Sequence, residues 1–383
     1  MNTFSYIDIN KDTFYTHFPM EKKKILIIGA GISGLSLAVN LKKMDIPYRI
    51  IEKQSKWNIK GLAMTIQGEG LNAASSMGIL DEIKLNGTKR NLAKIYNNKG
   101  KILKQFTPNS SDNSFIVQRD TLHEALRSKI SNIEMGLSAA GISKLGNRLN
   151  VIFSDGSSDS FNLVVGADGI NSTTRNYINS SNLNPSKDSS VVHSGSVLWG
   201  ITLNKKYSEI IEVWDKNRMC AFYPVQNKTV VSFFMKTPEL FTSSRDERAR
   251  HIKKYFSTIS HPFVQEVLDN IPKDIFFDHV RYTRPDKWNM DKITLIGDAC
   301  HSLSPLSGLG ANLAMADAEG LAQIIYTYGN NANFTDKLVK YNIKRKKEAD
   351  FAFNLSKQRT SRGMMIFPWT IFRNIKIKNS AKI

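Results

Sequence analysis

The chain holds two cysteines, Cys220 and Cys300, in 383 residues, too few for the disulfide framework of a small secreted scaffold. No apolar run approaches the roughly 18 residues that cross a bilayer, and the opening residues lack the hydrophobic core of a secretory signal. A reduced, cytoplasmic protein is the expectation. Acid is also scarce: 34 Asp and Glu face 53 Lys and Arg, for a net charge of +19. Such a charge suits nucleic acid, but no zinc-finger spacing or RNP-like run accompanies it, and the lysines are scattered among Asn and Ile. Nucleic acid is therefore not an expected partner. Nearly half the excess lies between Tyr341 and Ile383, where eleven Lys and Arg meet only Glu348 and Asp350. Solvated surface is the default reading, with attraction of an anionic cofactor or membrane surface as the alternative. What the chain does have is length for two domains, 41% apolar residues and 23% charged ones, the balance of a globular protein.

Three segments carry chemistry. Lys24 to Ile28 reads as a buried strand, followed by Gly29-Ala-Gly31-Ile-Ser-Gly34, an apolar helix to about Met44 and a second strand, Tyr48 to Glu52. A Gly-x-Gly-x-x-Gly between a strand and a helix, with an acid 18 residues past its last glycine, is a dinucleotide-binding unit: the turn admits the pyrophosphate and the helix N-terminus stabilises its charge. Glu52, followed by Lys53, favours an unphosphorylated adenosine ribose, hence FAD or NAD. Far downstream, Ile293 to Ile296 reads as a strand that stops at Gly297-Asp298; Pro305, Gly308 and Gly310 follow, and a helix starts near Ala311. The glycines leave backbone N–H groups open at a helix N-terminus, and Asp298 can accept from the hydroxyls of a sugar-alcohol chain. Between these, Leu163 to Val165 runs into Gly-Ala-Asp168-Gly169, with Ser172 and Arg175 beyond.

Gly297-Asp298-Ala299-x-His301-x3-Pro305-x2-Gly308-x-Gly310-x-Asn312, followed by Asp317-Ala318, resembles the second flavin motif of the class A FAD-dependent aromatic-ring monooxygenases, the p-hydroxybenzoate hydroxylase-like family. The other two segments resemble that family's remaining signatures, in the family's order. The resemblance implies that Asp298 holds the ribityl chain, that Pro305 to Asn312 (Gly308, Gly310 and Ala311 included) lie beside the isoalloxazine, and that Asp168 packs near the FAD. Arg119, in Arg119-Asp-Thr-Leu122-His-Glu-Ala-Leu126, matches the family's pyrophosphate arginine; read without the family, it pairs with a surface acid. His123 is read as a helix-face residue. His301 is either a proton relay or a structural hydrogen bond to the loop, and His301 and Pro305 are the flavin-proximal candidates for catalysis. Cys300 reads as packing, and no metal site is expected. The implied activity is an FAD enzyme that consumes NAD(P)H and O2 and hydroxylates an aromatic substrate through a flavin C4a-hydroperoxide. The alternatives are an FAD oxidoreductase without oxygen insertion and a basic flavoprotein on a membrane surface. Branches of the family that act on salicylate, urate and alkylquinolones, and the tetracycline-inactivating enzymes, are the relatives in view, so the substrate expected is a planar aromatic or polycyclic molecule, an antibiotic among the possibilities.

The fold expected is α/β: a Rossmann-like, GR2-type FAD-binding domain over 22–180 and 275–330, a substrate-binding antiparallel sheet over 181–274, and basic C-terminal helices over 331–383. Residues 1–21 read as a disordered extension with Met20 a candidate start. Hairpins are expected at Asn98-Lys-Gly100 and Asp155-Gly156. Strands between His193 and Met235 carry Trp199, Trp214, Phe222, Tyr223, Phe233 and Met235, which suit one wall of an apolar pocket or, equally, a core. Lys60 or Gln67 faces the flavin or the substrate. Family branches commonly have Trp-Arg where this chain has Trp199-Gly200, so an acidic substrate at that spot is not expected. The apolar segment from Ser361 to Ile377 caps the pocket or touches a membrane interface weakly. A monomer or loose dimer is expected.

Overall fold

The computed structural model describes residues 24–59, 62–90, 92–107, 113–180, 190–237 and 241–363. The expectations for residues 1–21, for Lys60 and for nearly all of the segment after Ser361 lie outside the described residues.

Ile25–Ile28 is apolar at every position and buried on both faces, which suits the centre of a parallel sheet and not a half-solvated strand. It lies between Leu163–Gly166 and Tyr48–Glu52, parallel to both. Ile293–Leu295 pairs in parallel on the far side of Leu163–Gly166, so the three signatures become neighbours in one six-stranded sheet. Ile25 and Ile27 pack into a core shared with helices Ile32–Lys43 and Gly310–Tyr328, through Leu35, Val39, Met315 and Leu321. Leu26 and Ile28 face the other way, onto Leu149, Val151, Phe153 and Phe161 of a three-stranded antiparallel sheet. Each such side chain stabilises the fold by about 1.5–3 kcal/mol on burial. The Asp155-Gly156 hairpin forms within that small sheet, with Gly156 at φ +84°.

The second large sheet has seven strands, in the order Phe276–Thr283, Val191–Leu203, Lys228–Lys236, Arg218–Val225, Ile210–Trp214, Ala93–Asn97, Ile102–Phe106. The Asn98-Lys-Gly100 hairpin thus joins it from the N-terminal half, pairing in parallel with Ile210–Trp214, and Phe276–Thr283 closes the other edge. The sheet is therefore wider than residues 181–274. Its alternation separates two faces. Trp199, Phe222, Phe233 and Met235 pack with Ile252 and Phe256 of helix Arg248–Phe256 and with Val264 and Val267 of helix Pro262–Asp269. Leu198, Trp214, Met219, Phe234 and Val280 gather on the opposite face with Leu306. Helix Phe334–Gly363 runs back along the first domain. No described helix is long and apolar enough to cross a membrane.

Candidate active site: two clefts that meet at Pro305

The first cleft, about 290 Å³, opens at the C-terminal ends of the parallel strands and is lined by Gly31, Arg119, Gly169, Asp298, Pro305 and Gly310 among others. Backbone builds it. Gly29 has φ +103°, and a Cβ there would lie 2.5 Å from the Ala167 carbonyl oxygen. A Cβ on Gly34 would meet the Gly29 carbonyl oxygen at 1.9 Å, which is what lets the helix pack against the turn. Gly31 and Gly310 differ: a Cβ on either would meet nothing within 4 Å. Space is left at these two helix starts, where N–H groups and the helix dipole favour an anion or a polar ring edge.

Side chains hold this frame. Glu52 accepts from the Ala30 N–H at 2.9 Å and the Gln54 N–H at 3.0 Å, while Lys53 is exposed. His123 is buried, not on an outer helix face; its Nε2 lies 3.0 Å from the Ala30 carbonyl oxygen and its ring packs edge-on to Trp57. Burial, the largest influence, lowers the His123 pKa and keeps the ring neutral. Arg119 begins helix Arg119–Arg127, is exposed, and has no ion-pair partner among the described residues, so its charge is available to a ligand. Asp168 Oδ2 accepts from the N–H groups of Thr173 and Thr174 at 2.9 and 3.1 Å, capping the next helix. Its Oδ1 is buried without a hydrogen-bond partner, a cost of about 1–3 kcal/mol that a ligand hydroxyl can remove. Arg175, fully buried, donates to the carbonyl oxygens of Ala299 and Ile170 and ties the third signature to the second.

Behind the Gly297-Asp298 turn lies a charged core of Asp317, His301 and Arg345, of which sequence reasoning named only His301 as a site residue. Asp317 Oδ2 accepts from the Gly297 N–H at 3.0 Å and lies 2.5 Å from His301 Nε2; Asp317 Oδ1 accepts from Arg345 Nε at 2.8 Å. Burial raises the Asp317 pKa, but His301 and Arg345 outweigh it and hold the carboxyl far below its usual range. For His301, burial lowers the pKa and the Asp317 charge and hydrogen bond more than reverse this, so the net shift is upward. His301 therefore stands behind the loop, bonded to Asp317, and also lines a separate cavity with Trp288 and Phe353. Cys300, His301 and Asp317 sit close enough to hold a metal ion. The chemistry of the set argues against one: Asp317 is already matched by Arg345, and burial pushes the Cys300 thiol well above its ordinary value. Asp317 lies within the quoted motif, 16 residues after His301; nothing local signals Arg345.

Asn312 is also a brace. Its Nδ2 donates to the carbonyl oxygens of Thr65 and Gly308, both at 2.8 Å, and its Oδ1 accepts from the Gln67 N–H at 2.9 Å. Strand Ala63–Ile66 is thereby clamped against the Pro305–Ser307 turn. Ala311 faces the first cleft.

The second cleft, about 110 Å³, lies on the other side of Pro305 and Gly308 and shares Leu62 and Ala63 with the first. The seven-stranded sheet supplies its other wall. Of the aromatic and neighbouring residues picked from the strands, Tyr223 lines it, as does Gln67. Trp199, Phe222, Phe233 and Met235 do not, because strand alternation sends them to the helix-covered core. Trp214 is on the cleft-facing side but buried beneath Glu212, to whose Oε2 it donates at 2.9 Å. Ile95, Phe106, Ile210, Glu212, Ser232 and Phe234 are among the lining residues that composition did not reveal.

The FAD-binding domain family model matches residues 22–356. The chain belongs to that family, and within it to the class A flavin monooxygenases. Among similar proteins is a flavin-dependent monooxygenase of Legionella longbeachae, 28% identical over 335 residues that cover 83% of this chain and 84% of the relative. The 2-heptyl-3-hydroxy-4(1H)-quinolone synthase of Pseudomonas aeruginosa is 26% identical over 78% of this chain and 80% of its own. In fold, the chain is similar to Klebsiella pneumoniae HpxO solved with FAD and uric acid (TM-score 0.84, 20% identity, 94% of this chain and 93% of that one). Tetracycline destructase Tet(51) follows with a TM-score of 0.72, 20% identity and coverage of 93% and 95%. FAD is the cofactor that this family binds, and the open glycines, the exposed Arg119 cation and the orphaned Asp168 oxygen fit it.

Proposed function

We propose that this chain hydroxylates a planar aromatic or polycyclic small molecule held in the second cleft, using NAD(P)H and O2. The observation that carries the reading is the meeting of the two clefts at Pro305 and Gly308: what lies in the first can touch what lies in the second. Gly29, Gly31 and Gly34 would admit the FAD pyrophosphate, Arg119 would neutralise it, Glu52 would face the adenosine ribose, and Asp168 and Asp298 would accept from cofactor hydroxyls. Gly297, Gly308, Gly310 and Ala311 would give the ring system room. Bound FAD supplies hydride acceptance from the nicotinamide and activation of oxygen.

The residues do the rest. Pro305 and Leu306 form a rigid 3-10 turn between the clefts, and buried Leu306 seals it against Phe234 and Leu198, which keeps water from the junction. Asn312 fixes the distance between that turn and strand Ala63–Ile66. Asp317 holds the Gly297 N–H, and so the start of the Asp298 turn, while Arg345 keeps Asp317 ionised. Both thiols are buried and unpaired, in keeping with a reducing compartment such as the cytoplasm.

The test is oxidation of NADPH and of NADH by FAD-loaded protein, with peroxide quantified, across phenols, quinolones, indoles and tetracyclines. A ligand that accelerates oxidation while peroxide stays low supports the reading. Steady flavin reduction without oxygen uptake moves the assignment to an FAD reductase.

A further inference from the structure

The cleft-facing side of the large sheet carries one row set by strand register. Glu212 stands opposite Ala221, Ala221 opposite Ser232, and Ser232 opposite Gly200. The last three are small and make a shallow floor. Its Gly200 end is already filled: a Cβ there would lie 2.0 Å from Leu62 Cδ2 and 3.6 Å from Phe276 Cβ. Leu62 thus sits down on bare backbone, where any other residue would lift it off. It is half-buried and packs against two apolar clusters, which also contribute Leu306 and Ile210 to the cleft. Because Leu62 lines the first cleft as well as the second, it is a partition between them. At the far end of the row the buried Glu212 side chain lines the cleft. From Gly200 to Glu212 is three strand spacings, about 14 Å, of which contact at the two ends takes about 4 Å and leaves about 10 Å of floor. That is the length of two fused six-membered rings. Volume sets a similar limit. An enclosed apolar cavity of about 150 Å³ holds one benzene ring, so a cleft of about 110 Å³ that opens toward the junction suits one or two rings and not four.

We infer that Leu62, seated on Gly200, sets the size limit of the second cleft and restricts the substrate to flat molecules of one or two fused rings, excluding four-ring polycycles such as tetracycline. The ring system lies on Ser232 and Ala221, one end against Leu62 and the other against Glu212, with an edge toward Pro305 and Gly308 on the same lining. Trimming Leu62 extends the floor by the Gly200 strand, about 4.8 Å, which is room for a third ring. This assignment rests on the monooxygenase reading and names the substrate size within it.

The experiment titrates FAD-loaded wild type, Leu62→Val and Leu62→Ala by calorimetry with phenol, 2-naphthol, 2-anthrol and tetracycline, and records NADPH and NADH oxidation and peroxide on the same samples. Wild type is expected to bind 2-naphthol at least about 10-fold more tightly than 2-anthrol, and tetracycline not at all. Leu62→Ala then raises the 2-anthrol affinity at least about 10-fold and leaves 2-naphthol within about 3-fold, with Leu62→Val between wild type and Leu62→Ala. A loosened fold would weaken every ligand, FAD included, so a gain confined to the larger ring system is a readout that a merely structural role does not give. FAD titration and urea midpoints certify the frame, and Leu62→Val carries the test if Leu62→Ala does not fold. The inference is overturned if wild type binds 2-anthrol or tetracycline as tightly as 2-naphthol, if both variants keep the wild-type preference, or if none of the four binds. Binding that follows ring count without any response of NAD(P)H oxidation sinks the monooxygenase reading and leaves Leu62 as the size limit. Coupled oxidation of tetracycline by wild type sinks Leu62 alone.

Discussion

The two clefts that meet at Pro305 are made of different material. The first is framed on one side by main chain, with glycines, helix starts and turn N–H groups that side chains such as Asp317, Asn312 and Arg175 brace from behind, and is closed on the other by side chains such as Leu198, Phe276 and His279. The second is walled by side chains that happen to fall on the same face of a sheet, from strands between Ala93 and Lys236. A main-chain site needs particular residues at particular spacings, because only glycine tolerates φ near +103° or a carbonyl 1.9 Å from the position of a Cβ. A side-chain site needs only shape and charge, which many residues supply. One cleft is thus suited to a constant ligand, the other to a ligand that differs between relatives.

That contrast can be broken at its strongest point. Arg345 is the buried partner of Asp317, and Arg345→Met leaves a charge without its match, at an expected cost of about 3–5 kcal/mol. Urea denaturation with FAD release followed in parallel checks this; a loss under about 1 kcal/mol would show that the brace is dispensable.

Next in size is a pair of glycines that separates ligand space from packing space. Gly31→Val adds atoms where nothing lies within 4 Å, so the apoprotein should melt within a few degrees of wild type while FAD affinity falls at least about 10-fold. Gly34→Ala drives a Cβ into the Gly29 carbonyl and should lower both, by about 1–3 kcal/mol in stability. Equal behaviour of the two variants in calorimetry and FAD titration would erase the distinction between them.

In the second cleft, Gly200→Arg meets Leu62 and should cost about 1–3 kcal/mol, with part recovered in Gly200→Arg combined with Leu62→Ala. Recovery that fails in a urea double-mutant cycle would mean that Leu62 is not the obstacle.

The smallest effect is in pH. The folded-state pKa of His301 is raised, so its contribution is fully present below the unfolded imidazole value near pH 6.5 and is lost as pH climbs through the raised value. Asp317 has the opposite sign: its pKa is lowered, so its contribution is present above the ordinary carboxylate value and is lost only in strong acid. Urea midpoints between pH 5 and pH 9 should therefore sag on the alkaline side in wild type and stay level there in His301→Gln. A level wild-type profile would place His301 outside the charged core.

Much of the first cleft was legible because its requirements are local. Gly29, Gly31 and Gly34 follow a strand, precede a helix and stand before Glu52; no tertiary knowledge is needed to see a phosphate cradle there. Gly297 to Asn312 announced a second turn of the same kind, although Asn312 braces Thr65 and Gly308 through its side chain, a pairing across more than 240 residues that no spacing could show. His123 read only as a helix-face residue because its contacts, to the Ala30 carbonyl and the Trp57 ring, are made by other elements.

What the sequence by itself determined is the order of strand, turn and helix, the positions where only glycine fits, and the family that those positions mark. These follow from backbone sterics and local periodicity, which act within a few residues of each other. Which face of each strand of the large sheet meets the second cleft was decided by the tertiary structure alone. Side chains alternate with a period of two, so Trp199, Phe222, Phe233 and Met235 could be wall or core on equal terms until the helices at Arg248–Phe256 and Pro262–Asp269 took one face. Their docking left Glu212, Ser232 and Phe234 to the other.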